Sequence, residues 1–211
     1  WSPVERTALA EAEVEYNDIT STQIDVAFEI TEAPNAPELV GAHAVIWTTT
    51  PWTIPVNQAL AYGADVEYRL LRDPETNERF LVAFDLIETF EERLGKKLRK
   101  LTPDASGNLV DDLARSVASN IKGSDLAGAK AKHPMAEKFP DSEFYNRPRP
   151  FLDGSSFVTT EAGTGLVHMA PDHGEDDFDL CKANGINPVL AVDAGGQYRE
   201  DWPWLPKTSN V

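Results

Sequence analysis

The stretch HAVIWTTTPWTIPVN, residues 43–57, sets the reading of the fold. Its first half is apolar and reads as a strand. From Trp47 to Asn57, four threonines, two tryptophans and two prolines share eleven residues. Proline has no N–H to give a ladder, so the strand must stop near Thr48. Residues 48–57 are then a proline-stiffened loop whose hydroxyls can donate or accept, which suits a grip on a small polar ligand. The same hydroxyls would equally serve a plain turn by satisfying its own backbone.

On either side of this stretch the chain reads as short strands. In STQIDVAFEI, Ile24, Val26, Phe28 and Ile30 alternate with polar neighbours, the period of a half-buried strand. QALAYG reads as a short strand, and VEYRLLRD and ERFLVAF flank the turn PETN as a hairpin. DLIETFEERLGKKLRK is the best helix, with Leu86, Ile87, Phe90 and Leu94 on one face and Gly95 as its stop. Residues 101–120 lose the pattern and read as a peripheral excursion. IKGSDLAGAKAKHP and the run from PRPFLDG to LVHMAP read as further strands, EDDFDLCKANG as a short helix ended by Gly185, and INPVLAVD as a strand after it. Residues 1–20 and 197–211 read as connectors to a parent domain. The expectation is one domain over residues 1–211, of α+β class: mostly β, closed or half-closed into a barrel, with a few peripheral helices.

Composition narrows the function. An apolar fraction of 41% supports a real core, and no apolar run reaches the length of a membrane span. The chain opens on Trp1 without a signal segment, which reads as a piece excised from a longer protein. A single cysteine, Cys181, excludes an intramolecular disulfide and points to the cytoplasm. The formal charge of −16 argues against a broad nucleic-acid footprint, though not against one nucleotide end held in a pocket.

The second dense stretch is GTGLVHMAPDHGEDDF, residues 163–178. Two glycines bracket Thr164, LVHM reads as a strand, and Pro171 ends it. Glu175 and Asp176 suit the N-terminal turn of a helix, where acids complement the macrodipole. Asp177 points another way and could meet an ammonium group. His168, taken alone, suits a satisfied place in a core. His168, Asp172, His173 and Asp177 are also metal-ligating types, but no H-E-x-x-H or comparable spacing joins them. GTG has neither the glycine spacing nor the lysine of a phosphate cradle.

Together, TTTPWTIPVN and, about a hundred residues later, GTGLVHMAPDHGEDDF closely resemble the editing domain inserted in the class I isoleucyl-tRNA synthetases. WSPVERTALAEAEVEY at the start is similar to that family's stretch between core and insertion. The related valyl and leucyl enzymes typically carry TTRP followed by an acid and threonine, where this chain has Thr50-Pro51-Trp52-Thr53. The leucyl version usually has methionine where His168 stands, which favours the isoleucyl family. No H-I-G-H or K-M-S-K-S motif is present, so amino-acid activation, with its ATP and Mg, is expected only of a catalytic core outside these residues.

The resemblance implies post-transfer editing of misformed valyl-tRNA(Ile), and editing of valyl-adenylate as well. One methylene is worth only about 1–3 kcal/mol in a hydrophobic pocket, isoleucine against valine in this very enzyme family being the standard instance. A second site must therefore grip the ammonium, exclude isoleucine and position a water. The resemblance gives Asp177 the ammonium and His168 the wall around the side chain. It gives Thr48, Thr49, Thr50 and Thr53 the ribose, ester and water. Trp52 would shape the pocket, and Asn57 would orient the loop or the substrate. With no serine or cysteine nucleophile paired to a base, direct attack by water is expected, without metal or cofactor. The implied partners are the 3′ acceptor end of tRNA(Ile), the valine it carries and the rest of the synthetase. Rival readings are a module that docks the acceptor end without chemistry, and a metal-dependent hydrolase.

Overall fold

A computed structural model describes residues 20–200 except 105 and 113–119, together with 1–8, 10, 12, 15, 18 and 202. Its strands are β1 (Ile24–Glu32), β2 (His43–Thr48), β3 (Ala59–Tyr62), β4 (Glu67–Arg72), β5 (Arg79–Ala83), β6 (Arg99–Pro103), β7 (Leu109–Asp111), β8 (Ile121–Lys122), β9 (Lys130–Ala131), β10 (Arg149–Asp153) and β11 (Leu166–Met169). Three short helices accompany them: α1 (Ile87–Leu94), α2 (Glu143–Asn146) and α3 (Glu175–Ala183). The strands form one sheet in the order β11-β3-β10-β9-β1-β2-β5-β4-β6-β7, with β8 beside β4. It is mixed, since β3 runs parallel to β10 and β2 parallel to β5. The α+β reading, mostly β with few helices, matches this architecture.

The sheet curls so that β11 returns against β2. Thr164, just before β11, gives its hydroxyl to the Val45 carbonyl on β2 at 2.6 Å, and its own carbonyl accepts from Ala83 N–H at the end of β5 at 2.8 Å. The core fills the curl, and the alternation read in β1 explains how. Phe28 and Ile30 are fully buried beside Ile46, Leu60, Leu71 and Leu81, while Ile24 and Val26 pack from the rim. The hairpin of β4 and β5 is present, paired from Tyr68↔Ala83 to Arg72↔Arg79.

Gly165 makes the curl possible. Its φ of +77° lies in the left-handed region, and a Cβ there would collide with the Ala83 side chain. Gly165→Ala should therefore cost about 2–4 kcal/mol, a fall in Tm of roughly 5–15 °C. Scanning calorimetry reads this directly, and an unchanged Tm would show that the close approach is not required.

Four sequence expectations are corrected. Residues 101–112 are no loose excursion, because β6 and β7 form a hairpin on β4, tied by ion pairs from Arg69 to Asp112 and from Arg72 to Asp111. INPVLAVD is not a strand: among its residues only Val192 makes a bridge, to Tyr198. Tyr198 and Trp202 are 8% and 7% exposed in a second apolar cluster with Val56 and Tyr145, so part of the expected 197–211 connector is packed core. On α1, Gly95 caps the helix as expected, but Leu94 is exposed. Most of the 9–19 and 203–211 portions of the expected connectors lie outside the described residues.

Candidate active site

Pro51 ends β2 as the sequence requires, and residues Pro51–Val56 wind into a 3-10 helix. The two prolines set φ where that turn needs it and have no N–H to leave unpaired. Thr48 is buried, and its hydroxyl accepts from Thr50 N–H at 3.0 Å and meets Thr50 Oγ1 at 3.1 Å. Thr49 and Thr50 are exposed, and the Thr49 carbonyl accepts from the Ser21 hydroxyl at 2.7 Å. Thr53 is buried, and its hydroxyl donates to the Thr50 carbonyl at 2.8 Å.

The second motif meets the first at Thr53, whose Oγ1 lies 3.1 Å from His168 Nε2 across 115 residues of chain. The pairing His168↔Leu60 between β11 and β3 fixes the ring's place. Because the Thr53 proton serves Thr50, the network assigns the His168 proton to Nε2, leaving Nδ1 a buried acceptor without a partner among the described residues. Burial, with a smaller push from His173, lowers the His168 pKa to about 4. The ring is thus neutral at physiological pH and contributes shape and one N–H rather than charge.

Asp177 stands in the first turn of α3, and its Oδ2 accepts from Ala170 N–H at 2.7 Å, two residues beyond His168. Burial raises its pKa, Ala170 N–H opposes the shift, and the Asp176 charge adds to it. Among the described residues no cation pairs with this half-buried carboxylate. Trp52 lies edge-on to His173 with ring centroids 4.7 Å apart, and its carbonyl accepts from Tyr198 O–H. His173 is 3.9 Å from Asp172. Among the described residues, no three or more His, Cys, Asp and Glu side chains converge where one metal ion could sit.

The structure therefore joins Thr48, Thr50, Thr53 and His168 by hydrogen bonds, with Asp177 anchored just beyond the same strand, Trp52 against His173, and Thr49 exposed beside Thr48 in the chain. Of the two roles expected of Asn57, the loop or the substrate, its surroundings favour the loop. It is fully buried and gives its amide to the Ala59 carbonyl at 2.8 Å, so it holds the loop onto β3 rather than facing a substrate. Two positioning residues went unread in the sequence. His133, wholly buried, bonds the Ile54 carbonyl at 3.0 Å and steadies the 3-10 helix from beneath. Arg93 on α1 grips Asp25 through two 2.8 Å bonds and the Gly163 carbonyl through a third. Neither sits in a local motif, so only their surroundings reveal them.

The buried rings give a pH dependence of known sign. Burial also lowers the His133 pKa, to about 3, with Arg149 adding to the shift. An unfolded histidine titrates near 6.5. Below that pH the unfolded chain takes up protons that the folded one refuses, so stability is full above pH 6.5 and falls toward pH 3–4. From pH 7 to 5 the two rings should remove on the order of 2–4 kcal/mol. The raised pKa of Asp177 works the other way, but nearer the carboxylate range. Urea denaturation at pH 7 and pH 5 checks this, and equal midpoints would contradict the burial of both rings.

No family model matches the chain. It is 53% identical over 205 residues to the isoleucine–tRNA ligase of Zymomonas mobilis, covering 97% of this chain and 19% of that protein. To the isoleucine–tRNA ligase of Gluconobacter oxydans it is 46% identical over 220 residues, covering 100% of this chain and 20% of that protein. Among solved structures, the editing domain of the P. falciparum cytosolic leucyl-tRNA synthetase aligns with a TM-score of 0.47 and 13% identity, over 68% of this chain and 47% of that one. The chain thus spans about one fifth of the length of the curated relatives it matches. With identity at this level along nearly all of its residues, the chain belongs to the isoleucine–tRNA ligases, as a segment of about a fifth of their length.

Proposed function

We propose that this site performs the editing of an isoleucine–tRNA ligase: hydrolysis of valyl-tRNA(Ile), and of valyl-adenylate with it. The observation that carries the reading is the Thr53–His168 hydrogen bond, which seats a neutral, buried ring against a loop of exposed hydroxyls. Thr49 and Thr50 face solvent, where the terminal ribose and the ester would lie. Asp177, a carboxylate without a cation among the described residues, takes the valine ammonium. The His168 ring fills the space that a further methylene would need. Trp52, braced by His173 and Tyr198, closes the loop side.

Water attacks the ester directly. Thr53 and His168 do not form a nucleophile–base pair, because the histidine nitrogen facing the hydroxyl carries the proton. Cys181 is buried, and its thiol is pushed up to about 12 by that burial and by Asp177, so it is no nucleophile either. In this reading the vicinal hydroxyl of the substrate ribose relays the proton, taking one from the attacking water as it passes its own to the departing ester oxygen, so that valine and the free diol result. No described helix is long and apolar enough to cross a membrane, and the partners in this reading are the acceptor end of tRNA(Ile) and the remainder of the synthetase.

The test is release of amino acid from valyl-tRNA(Ile) and isoleucyl-tRNA(Ile), with and without a chelator. The expected result is release of valine alone, unaffected by chelation. Loss of activity with chelator would overturn the metal-free mechanism, and tight binding without turnover would reduce the site to a docking module.

A further inference from the structure

A cavity of about 390 Å³ opens between residues 147–150 and 185–189, with Gln58 on its wall. Along the chain its lining continues from both parts of the candidate active site. Gln58 directly follows Asn57 at the end of the threonine loop, and residues 185–189 follow α3, whose first turn carries Asp177. In a chain of net charge −16, no aspartate or glutamate among the described residues lines this cavity, whereas Arg147 and Arg149 both do.

Arg149 is the unusual member. It is 1% exposed, yet among the described residues its guanidinium faces no carboxylate. One nitrogen donates to the Arg147 carbonyl at 2.5 Å and the other to the Phe144 carbonyl at 3.0 Å. The cation lies over the Phe144 ring at 4.9 Å. Its Nε–H has no partner among the described residues. Burial lowers its pKa to about 10, which reflects a cation held without a counter-charge. A buried charge is normally paired, and a buried N–H normally bonded. Two carbonyls and an aromatic face compensate only in part, and the remaining need is for an anion that offers acceptor oxygens to a fork. Arg147 is largely exposed beside it, and among the described residues its guanidinium pairs with the solvated Glu143 alone, at 3.4 Å, so its charge is available to such a ligand. Three prolines, Pro148, Pro150 and Pro188, stiffen the walls and bring no competing N–H.

We propose that this cavity is a phosphate-binding site that receives a phosphodiester of the nucleic-acid strand whose 3′ end enters the candidate active site. The proposal rests on the editing reading for the identity of that strand. Arg149 supplies the fixed donor and Arg147 the closing one, so that a strongly acidic protein grips nucleic acid at one point rather than along a face. From Asp177 to the end of α3 at Ala183 the helix rises about 9 Å toward the cavity, a distance one or two nucleotides can span.

Two measurements on the whole chain test it. In the first, inorganic phosphate is titrated while the arginine Nε–H resonances are followed by NMR. The Arg149 signal should shift at millimolar phosphate, and an unmoved signal would overturn the site. In the second, an uncharged-end single-stranded oligonucleotide terminating in CCA is bound by fluorescence anisotropy at several salt concentrations. Arg147→Gln should weaken it by about tenfold and lower the salt slope by roughly one phosphate. Arg149→Lys, which keeps the charge but not the fork, should weaken it as well. Phosphate shifts without any effect of Arg147→Gln on the oligonucleotide would overturn the assignment to a strand. Hydrolysis of a valyl-adenosine ester, which has no upstream phosphate, is read separately in the unsubstituted protein. Its failure would sink the editing reading while leaving the two phosphate results to stand on their own.

Discussion

Asp177→Asn is expected to cut hydrolysis of valyl-tRNA(Ile) by on the order of 100-fold, with Tm changed by only a few degrees. The side chain does two things, and the substitution separates them. Its Oδ2 accepts from Ala170 N–H, and the asparagine oxygen can keep that bond, so the backbone beyond β11 stays satisfied. The charge is lost, and with it the partner for an ammonium. A hydrogen bond to a charged group is worth about 1.5–3 kcal/mol, or one to two decades in rate when it holds the reacting ester in place. Asp177→Ala should be as inactive but less stable, because it also strands the Ala170 N–H. Wild-type turnover in Asp177→Asn would remove the carboxylate from the binding of substrate.

His168→Ala should produce the opposite kind of change, a gain of a wrong activity. The ring is 8% exposed, neutral and held by Thr53. Removing it opens more room than the single methylene separating isoleucine from valine. Preference for valyl over isoleucyl ester should then fall by roughly 10–200-fold, the range one methylene commands in an apolar pocket. Stability should drop by about 1–3 kcal/mol from the lost packing and bond. The diagnostic assay is isoleucine release from isoleucyl-tRNA(Ile). If the cognate ester remains fully protected, His168 is a core histidine and the wall lies elsewhere.

Where the sequence was legible, the reason was local. β1 announces itself by alternation, the β4–β5 hairpin by its turn, and the end of β2 by Pro51, because each signal lies within about ten residues of its effect. The β6–β7 hairpin was missed although its turn is local, Asp104 accepting from Ser106 and Asn108 N–H, because its short strands carry no apolar alternation to mark them. INPVLAVD has strand-like composition, but Val189 and Val192 pack against the Trp202 cluster instead of joining the sheet. Pro188 also denies that segment a ladder N–H. The candidate site divides in the same way. Both motifs stand out as strings, whereas their meeting at Thr53 and His168 follows from the pairing of β11 with β3. The two roles left open for Asn57 could not be told apart because a polar residue ending a polar loop gives no sign of being buried.

The bond from Thr164 to Val45 spans 119 positions, and that distance has a consequence in time. Contacts so far apart in the chain cost the most entropy to close and tend to form after the local hairpins. The two halves of the site lie on opposite sides of that seam, so a refolding chain would regain its strands and fluorescence before it regains turnover. A protein synthesised from its N-terminus would carry the threonine loop, finished but idle, until the last quarter of these residues arrived to complete it.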